Sequence, residues 1–226
     1  MRIITVLGSP RKNGNSSAIA KAFTDKARSL GADVSTYYLN GMNFRGCQGC
    51  MSCKEKSERC VLTDDLTELL DAIHEADAVV MASPVYYHGV SGQFKTFFDR
   101  TFSFVKPDFF TRPDPTRLPP GKKALLILSQ GQGEDAYKHI VEQHEYFLSG
   151  YGFEERRFIR AVEMQKHKFR FAAPFQRRLC FSRKIGVCFA RCPANHGAFK
   201  PQRRRKPADG RHAANRRALL KPGRQP

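Results

Sequence analysis

Runs of branched apolar residues alternate along this chain with segments whose apolar positions recur every three or four residues, and the alternation holds from the N-terminus to Glu163. Arg2 to Gly8 is the first run: Ile3, Ile4, Val6 and Leu7 lead into Gly-Ser-Pro and predict a short buried strand. Ile19, Phe23, Ala27 and Leu30 then share one helical face behind Ser16 and Ser17, either of which suits an N-cap, and Gly31 stops the helix. Asp33 to Leu39 is a second strand, and Leu66, Leu69, Leu70 and Ile73 line one face of a helix over Thr63 to Ala76. Ala78 to Ala82 is a third strand, followed by a Tyr- and Gly-rich loop and a helix whose Phe94, Phe97, Phe98 and Phe102 stripe reads as core. Lys123 to Ser129, Glu134 to Ser149 and Phe153 to Val162 continue as strand, helix and strand. Strands alternating with helices predict an α/β fold, a doubly wound five-stranded parallel sheet covered on both faces.

Two stretches break the pattern. Phe104 to Gly121 holds five prolines and no periodicity, so it is a long surface excursion of the kind that carries specificity. Beyond Glu163 all periodicity ends, with weak helix candidates only around Arg177 to Arg191. The formal charge of +18 sits almost wholly there: residues 164–226 carry 18 Lys and Arg against the one acid Asp209, while the 21 cations and 20 acids before them nearly cancel. The chain therefore divides into a near-neutral domain over residues 1–163 and a basic, low-order tail over 164–226. The tail reads as non-native to the fold, as a shifted reading frame would make it. Its few aromatics and lack of a recognition motif make nucleic-acid binding a remote alternative. With no apolar run long enough to span a membrane and no leader, a cytoplasmic protein with reduced thiols is expected. Cysteines then read as metal or cluster ligands sooner than as disulfides.

The first strand runs into Gly8-Ser9-Pro10-Arg11-Lys12-Asn13-Gly14-Asn15-Ser16-Ser17, which places hydroxyls, an amide and an Arg at a helix N-terminus. Unpaired N–H groups and the helix dipole there favour an anion, and a phosphate is the natural guest; the plain alternative is a serine-rich capped turn. The segment Ser83-Pro84-Val85-Tyr86-Tyr87-His88-Gly89-Val90 follows the third strand, at the sheet end where doubly wound folds bind ligands. GSPRKNGNSS followed by SPVYYHGVSGQFKTFFDR resembles the NADPH-dependent FMN reductase and iron-sulfur flavoprotein branch of the flavodoxin-like fold, over roughly residues 1–163. The resemblance implies an FMN phosphate held by Ser9, Arg11, Asn15, Ser16 and Ser17. It further implies an isoalloxazine ring held by Pro84, Val85, Tyr86, Tyr87, His88 and Gly89, with His88 either touching the ring or facing solvent. Gln130 and Gly131, after the next strand, belong to the third loop expected to reach the flavin.

The remaining constellation is Cys47, Cys50, Cys53 and Cys60 in GCQGCMSCKEKSERC, an insert over residues 46–61. Two-residue gaps let successive sulfurs wrap one compact site, as in ferredoxins, and a fourth ligand arrives a little further on. The resemblance points to a [4Fe-4S] cluster; a cluster-free relative, a structural zinc site and a stress disulfide stay open. The expected function is electron transfer between cluster and FMN in a homo-oligomer, with a ferredoxin-like redox partner or a small-molecule acceptor and NAD(P)H as a co-substrate. The alternative is a cluster-free NAD(P)H-dependent FMN or quinone reductase on the same flavin site.

Overall fold

A computed structural model describes residues 1–164 and the backbone of two short strands further on. The core is a sheet whose parallel strands are β1 (Arg2–Leu7), β2 (Asp33–Tyr38), β3 (Ala78–Tyr86), β5 (Lys123–Ser129) and β6 (Glu155–Ala161), in the order β2-β1-β3-β5-β6. That is the flavodoxin-like order, with its switch point between β1 and β3. A sixth strand that the sequence does not announce, β4 (Gly89–Val90), turns back antiparallel on the end of β3, pairing Val85 with Val90. The loop expected from Ser83 onward is therefore partly strand.

The period-two alternation of the central strands feeds two cores. Val79 and Met81 of β3, with Ile4, Val6, Leu126 and Leu128, face α3 (Asp65–Glu75), α4 (Gly92–Arg100) and α5 (Lys138–Gly150). Val80, Ala82, Ile3, Leu125 and Ile127 face α1 (Asn15–Ser29) through Ile19, Ala20 and Phe23. The Phe stripe is core as expected: Phe94 and Phe97 are fully buried. α3 begins on a capping box in which Asp64 accepts from the Leu66 amide and Thr67 accepts from the Asp64 amide. At its far end the buried Lys122 ammonium donates to the Ile73 and Ala76 carbonyls, where the dipole favours a cation.

α5 starts at Lys138, four residues later than its periodicity predicts, because Tyr137 takes a left-handed conformation (φ 63°) that no helix continues through. The proline-rich excursion folds on itself through a Val105–Thr116 bridge and buries Leu118. Around the tail's weak helix candidates the backbone instead forms an antiparallel pair, β7 (Leu179–Ser182) with β8 (Gly186–Phe189). The rest of the basic tail, and with it the expectation of a low-order segment foreign to the fold, lies outside the described residues.

Candidate functional site

Three loops leave the carboxyl ends of β1, β3 and β5 side by side. The first opens at Gly8, whose amide donates to Ala82 O at 2.8 Å and where a Cβ would lie 2.6 Å from Phe94 Cβ. Only glycine lets α4 pack so closely on the end of β1. Further along, Ser9 Oγ accepts from the Arg11 amide at 3.1 Å, and a Cβ on Gly14 would meet that oxygen at 2.8 Å. The capping expectation is corrected by the helix bounds: Gly14 is the N-cap of α1, and Ser16 and Ser17 stand inside its first turn. No side chain caps the helix and no acid lies in its first turn, so its positive end is unneutralised. Ser16 and Ser17 are 1% and 3% exposed, and both hydroxyls lack a hydrogen-bond partner. Unsatisfied buried hydroxyls cost about 1–3 kcal/mol each. Two of them at an uncapped helix end, beside Asn15 and below the exposed Arg11, fit a phosphate in number and chemistry.

The second loop is a hairpin with a two-residue turn at Tyr87 (φ 44°) and His88 (φ 67°). Such a turn needs positive φ at both positions and is normally made by Asn and Gly, so two large side chains here store about 1–3 kcal/mol each. Its two ends are fixed from below. The Ser91 amide donates to Ser83 Oγ at 3.0 Å, and Ser91 Oγ donates to Gly8 O at 2.5 Å, which joins the second loop to the first. Pro84 is buried and Val85 and Gly89 are half-buried, while Tyr86 is 44% and Tyr87 101% exposed. A strained hairpin thus presents aromatic faces at the switch point.

In the third loop Gln130 is 2% exposed and turned inward: its amide nitrogen donates to Gly133 O at 2.8 Å and its backbone N–H to Ala161 O at 2.8 Å. Gln130 shapes the loop from within, and Gly131 stands half-buried beside it. Tyr137 and His139 close this loop onto the second. The His88 ring stands edge-on to Tyr137 at 5.1 Å, and His88 O accepts from His139 Nε2 at 3.2 Å. His88 is exposed in the turn, as the solvent-facing reading expects, and its ring also packs against Tyr137 of the third loop.

The cysteine segment is irregular from residue 42 to 51 and then makes one turn, α2 (Ser52–Glu55), after Met51 at φ 56°. Cys47, Cys50, Cys53 and Cys60 line one narrow cavity with Arg100 and Phe102; the first two are exposed and the others half-buried. Among the described residues no three His, Cys, Asp or Glu side chains converge closely enough to hold a single metal ion. A mononuclear zinc needs four sulfurs at about 2.3 Å from one centre, whereas a cubane takes one thiolate on each of four irons and spreads them around a wider site. Four thiols around a shared cavity fit the second donor geometry in type. Hydrogen bonds from the amide and hydroxyl of Ser52 draw the Cys50 thiol below its ordinary pKa. Lys54 pins the segment down, donating to Phe102 O at 2.5 Å and Val105 O at 2.6 Å; burial draws its pKa down against the opposing pull of Cys53.

Flavin loop and cysteine segment meet at a second cavity of about 540 Å³. Cys47 and Gly49 form one wall, His88 to Val90 another, and Phe98, Phe102 and Phe147 the floor. A larger cavity of about 730 Å³ lies at the proline-rich excursion, lined by charges of both signs such as Arg59, Asp71, Asp114 and Arg117. Sequence reasoning misses Arg100, Tyr137 and His139. The only signal for Arg100 is its place three residues after Phe97 and four before Phe104, a cation inside an apolar stripe.

Comparison with known proteins agrees with this geometry. Residues 1–153 match the family described as NADPH-dependent FMN reductase. An iron-sulfur flavoprotein of Archaeoglobus fulgidus is 40% identical over 104 residues, which cover 46% of this chain and 47% of the relative. An iron-sulfur flavoprotein of Clostridioides difficile is 36% identical over 115 residues, 49% of this chain and 51% of its own. The chain thus spans about half the length of the curated relatives it matches. Among solved structures, an NAD(P)H:quinone oxidoreductase from Methanothermobacter marburgensis superposes with TM-score 0.58 at 20% identity, over 73% of this chain and 84% of that one. An FMN-dependent NADH-azoreductase from Bacillus anthracis, in complex with FMN, gives 0.55 at 14% identity over 78% and 91%. At such identities the likeness is one of fold. With two thirds of its length matched from the first residue, through both loops at the switch point, this chain belongs to the NADPH-dependent FMN reductase family.

Proposed function

We propose that this chain is an FMN-dependent oxidoreductase that exchanges electrons between a bound FMN and a [4Fe-4S] cluster held by Cys47, Cys50, Cys53 and Cys60. One observation carries the reading: the cysteine segment and the flavin hairpin are walls of the same cavity, with Cys47 facing His88 to Val90. Groups held on those two walls are neighbours without intervening secondary structure. When bound, FMN supplies two-electron chemistry and a cluster single electrons, so the pair interconverts the two.

The roles of the chain's own residues follow from position. Ser16, Ser17 and the amides of the first turn of α1 receive the phosphate, with Ser9 and Asn15 shaping the loop and Arg11 covering it. The hairpin from Pro84 to Gly89 holds the ring, and Tyr86 and Tyr87 offer it flat apolar area. Gln130 and Gly131 set the third loop against the hairpin. NAD(P)H is the proposed co-substrate, and the exposed Cys47 and Cys50 are the side from which a redox partner protein, or a second copy of the chain, gives or takes an electron. The relatives named iron-sulfur flavoproteins support the cluster half of this reading. The match of residues 1–153 to the family described as NADPH-dependent FMN reductase favours a second reading, a cluster-free NAD(P)H-dependent FMN or quinone reductase.

Counting iron, acid-labile sulfide and flavin in anaerobically purified protein separates them. About four irons and four sulfides per flavin support the first reading; flavin without iron leaves the second.

A further inference from the structure

Among the described residues Arg100 is the largest fully buried side chain, and it stands at the end of α4, outside the three loops of the flavin site. Its side chain is 0% exposed, against 14% for its carboxylate partner Asp64. A guanidinium has five N–H donors in a fixed fork, and each finds one acceptor. Nη1 donates to Arg45 O at 2.9 Å and Asp64 Oδ2 at 2.7 Å. Nη2 donates to Leu62 O at 3.0 Å and, more loosely, to Asp64 Oδ1 at 3.3 Å. The fifth donor, Nε, lies 3.0 Å from Cys60 Sγ.

Four of these bonds tie together the two flanks of the cysteine segment: Arg45 precedes Cys47, while Leu62 and Asp64 follow Cys60. The fifth reaches a sulfur in the narrow cavity that all four thiols share. A buried ion pair gains little net stability over apolar residues of the same shape, so its retention has to be sought in what it positions. Asp64 neutralises the guanidinium and is itself fixed as the cap of α3, accepting from the Leu66 amide, and it also accepts from the Arg45 amide. The fork cannot turn away from Cys60 without breaking four other bonds.

We infer that Arg100 is a positioning residue for the cluster ligand Cys60: its Nε–H stays hydrogen-bonded to the Cys60 sulfur in the loaded protein and raises the reduction potential there. The inference rests on the cluster reading above. A cationic donor withdraws electron density from a thiolate and stabilises the more negative, reduced state. The change is one electron gained, with no bond broken and no proton moved to or from Arg100, whose guanidinium stays charged. Dithionite supplies the electron in the test.

The measurement is a potentiometric titration of the cluster in the full chain, wild type against Arg100→Lys and Asp64→Asn. Lysine keeps the charge and can reach Asp64 but loses the fork and the Nε bond. With full iron content, Arg100→Lys should lower the equilibrium constant for cluster reduction about tenfold, 59 mV to the negative for a one-electron couple. Asp64→Asn keeps the Nε bond and the helix cap and removes a neighbouring negative charge, so its potential should not fall. An unchanged potential in a fully loaded Arg100→Lys protein overturns the inference, as does an equal negative shift in both variants. If the lysine variant does not load, pulsed EPR of reduced wild type carrying ¹⁵N-arginine decides. One coupled nitrogen supports the bond, and none overturns it. Wild type free of iron and sulfide overturns the cluster reading and this inference together, whereas a loaded wild type with an insensitive potential overturns this inference alone.

Discussion

Ser16 and Ser17 are the residues on which the flavin half of the account depends most. Their buried hydroxyls find no hydrogen-bond partner within the protein, so on their own they weaken the fold they belong to. That cost makes sense where a ligand removes it, and it predicts effects of opposite sign from one change. The double variant Ser16→Ala, Ser17→Ala should leave flavin-free stability in urea unchanged or raised by about 1 kcal/mol. It should also weaken FMN binding about tenfold or more, the loss of one bond to a charged group. Fluorescence titration with FMN beside the urea curves checks both; lowered stability with unchanged affinity would assign the serines a purely structural role. The same logic applies to Tyr87 and His88. At the fully exposed Tyr87 the left-handed backbone is a cost without a packing return, whereas the His88 ring offsets part of its own against Tyr137.

At the scale of elements, the α4–α5 contact carries a pH dependence. His144 of α5 is 4% exposed among Phe94, Phe98 and α5's own backbone, with its ring 4.8 Å from that of Phe98, and Nδ1 donates to Ile140 O at 2.7 Å. Burial first, then the nearby Lys95 charge, lower its pKa against the pull of that hydrogen bond. A histidine depressed in the folded state takes up its proton more readily when unfolded. Stability is therefore full above the unfolded value of about 6.5 and is lost as pH falls through it toward the folded pKa. Unfolding curves between about pH 7.5 and 5.5 should show this slope in the wild type, and His144→Phe should flatten it; an unchanged slope would place its origin elsewhere.

Elements were legible in the sequence where burial alone decides them. β1, β3 and β5 are near-continuous apolar runs because both faces of a central parallel strand are covered. The start of α5 was not legible, because residues 134–137 keep helical periodicity while Tyr137 leaves helical space to meet His88. Hairpin β3–β4 was hidden for the same reason: Tyr-His is not the turn chemistry that announces a two-residue turn. Gly14 rather than a serine caps α1, and the space its Cβ would need is taken by Ser9 Oγ, five residues back and invisible to a linear pattern.

For the molecule as a whole, the sheet order places three loops together at the carboxyl end of the strands, and the cysteine insert lies against α4, where it shares a cavity with the second of them. The two motifs that revealed the family are local in sequence and so were readable; the contact that joins them is not. Arg100 shows why. It is 36 residues from Asp64 and 40 from Cys60, and nothing along the chain marks a cation as the tie between two ends of a loop. Among the described residues no helix is long and apolar enough to cross a membrane.

The absorption spectrum of the full chain, purified without oxygen and loaded with FMN, iron and sulfide before desalting, decides whether the chain holds flavin and cluster together. Flavin bands over a broad charge-transfer shoulder, both bleached by dithionite, are expected. A protein that leaves the column without flavin bands would contradict this expectation.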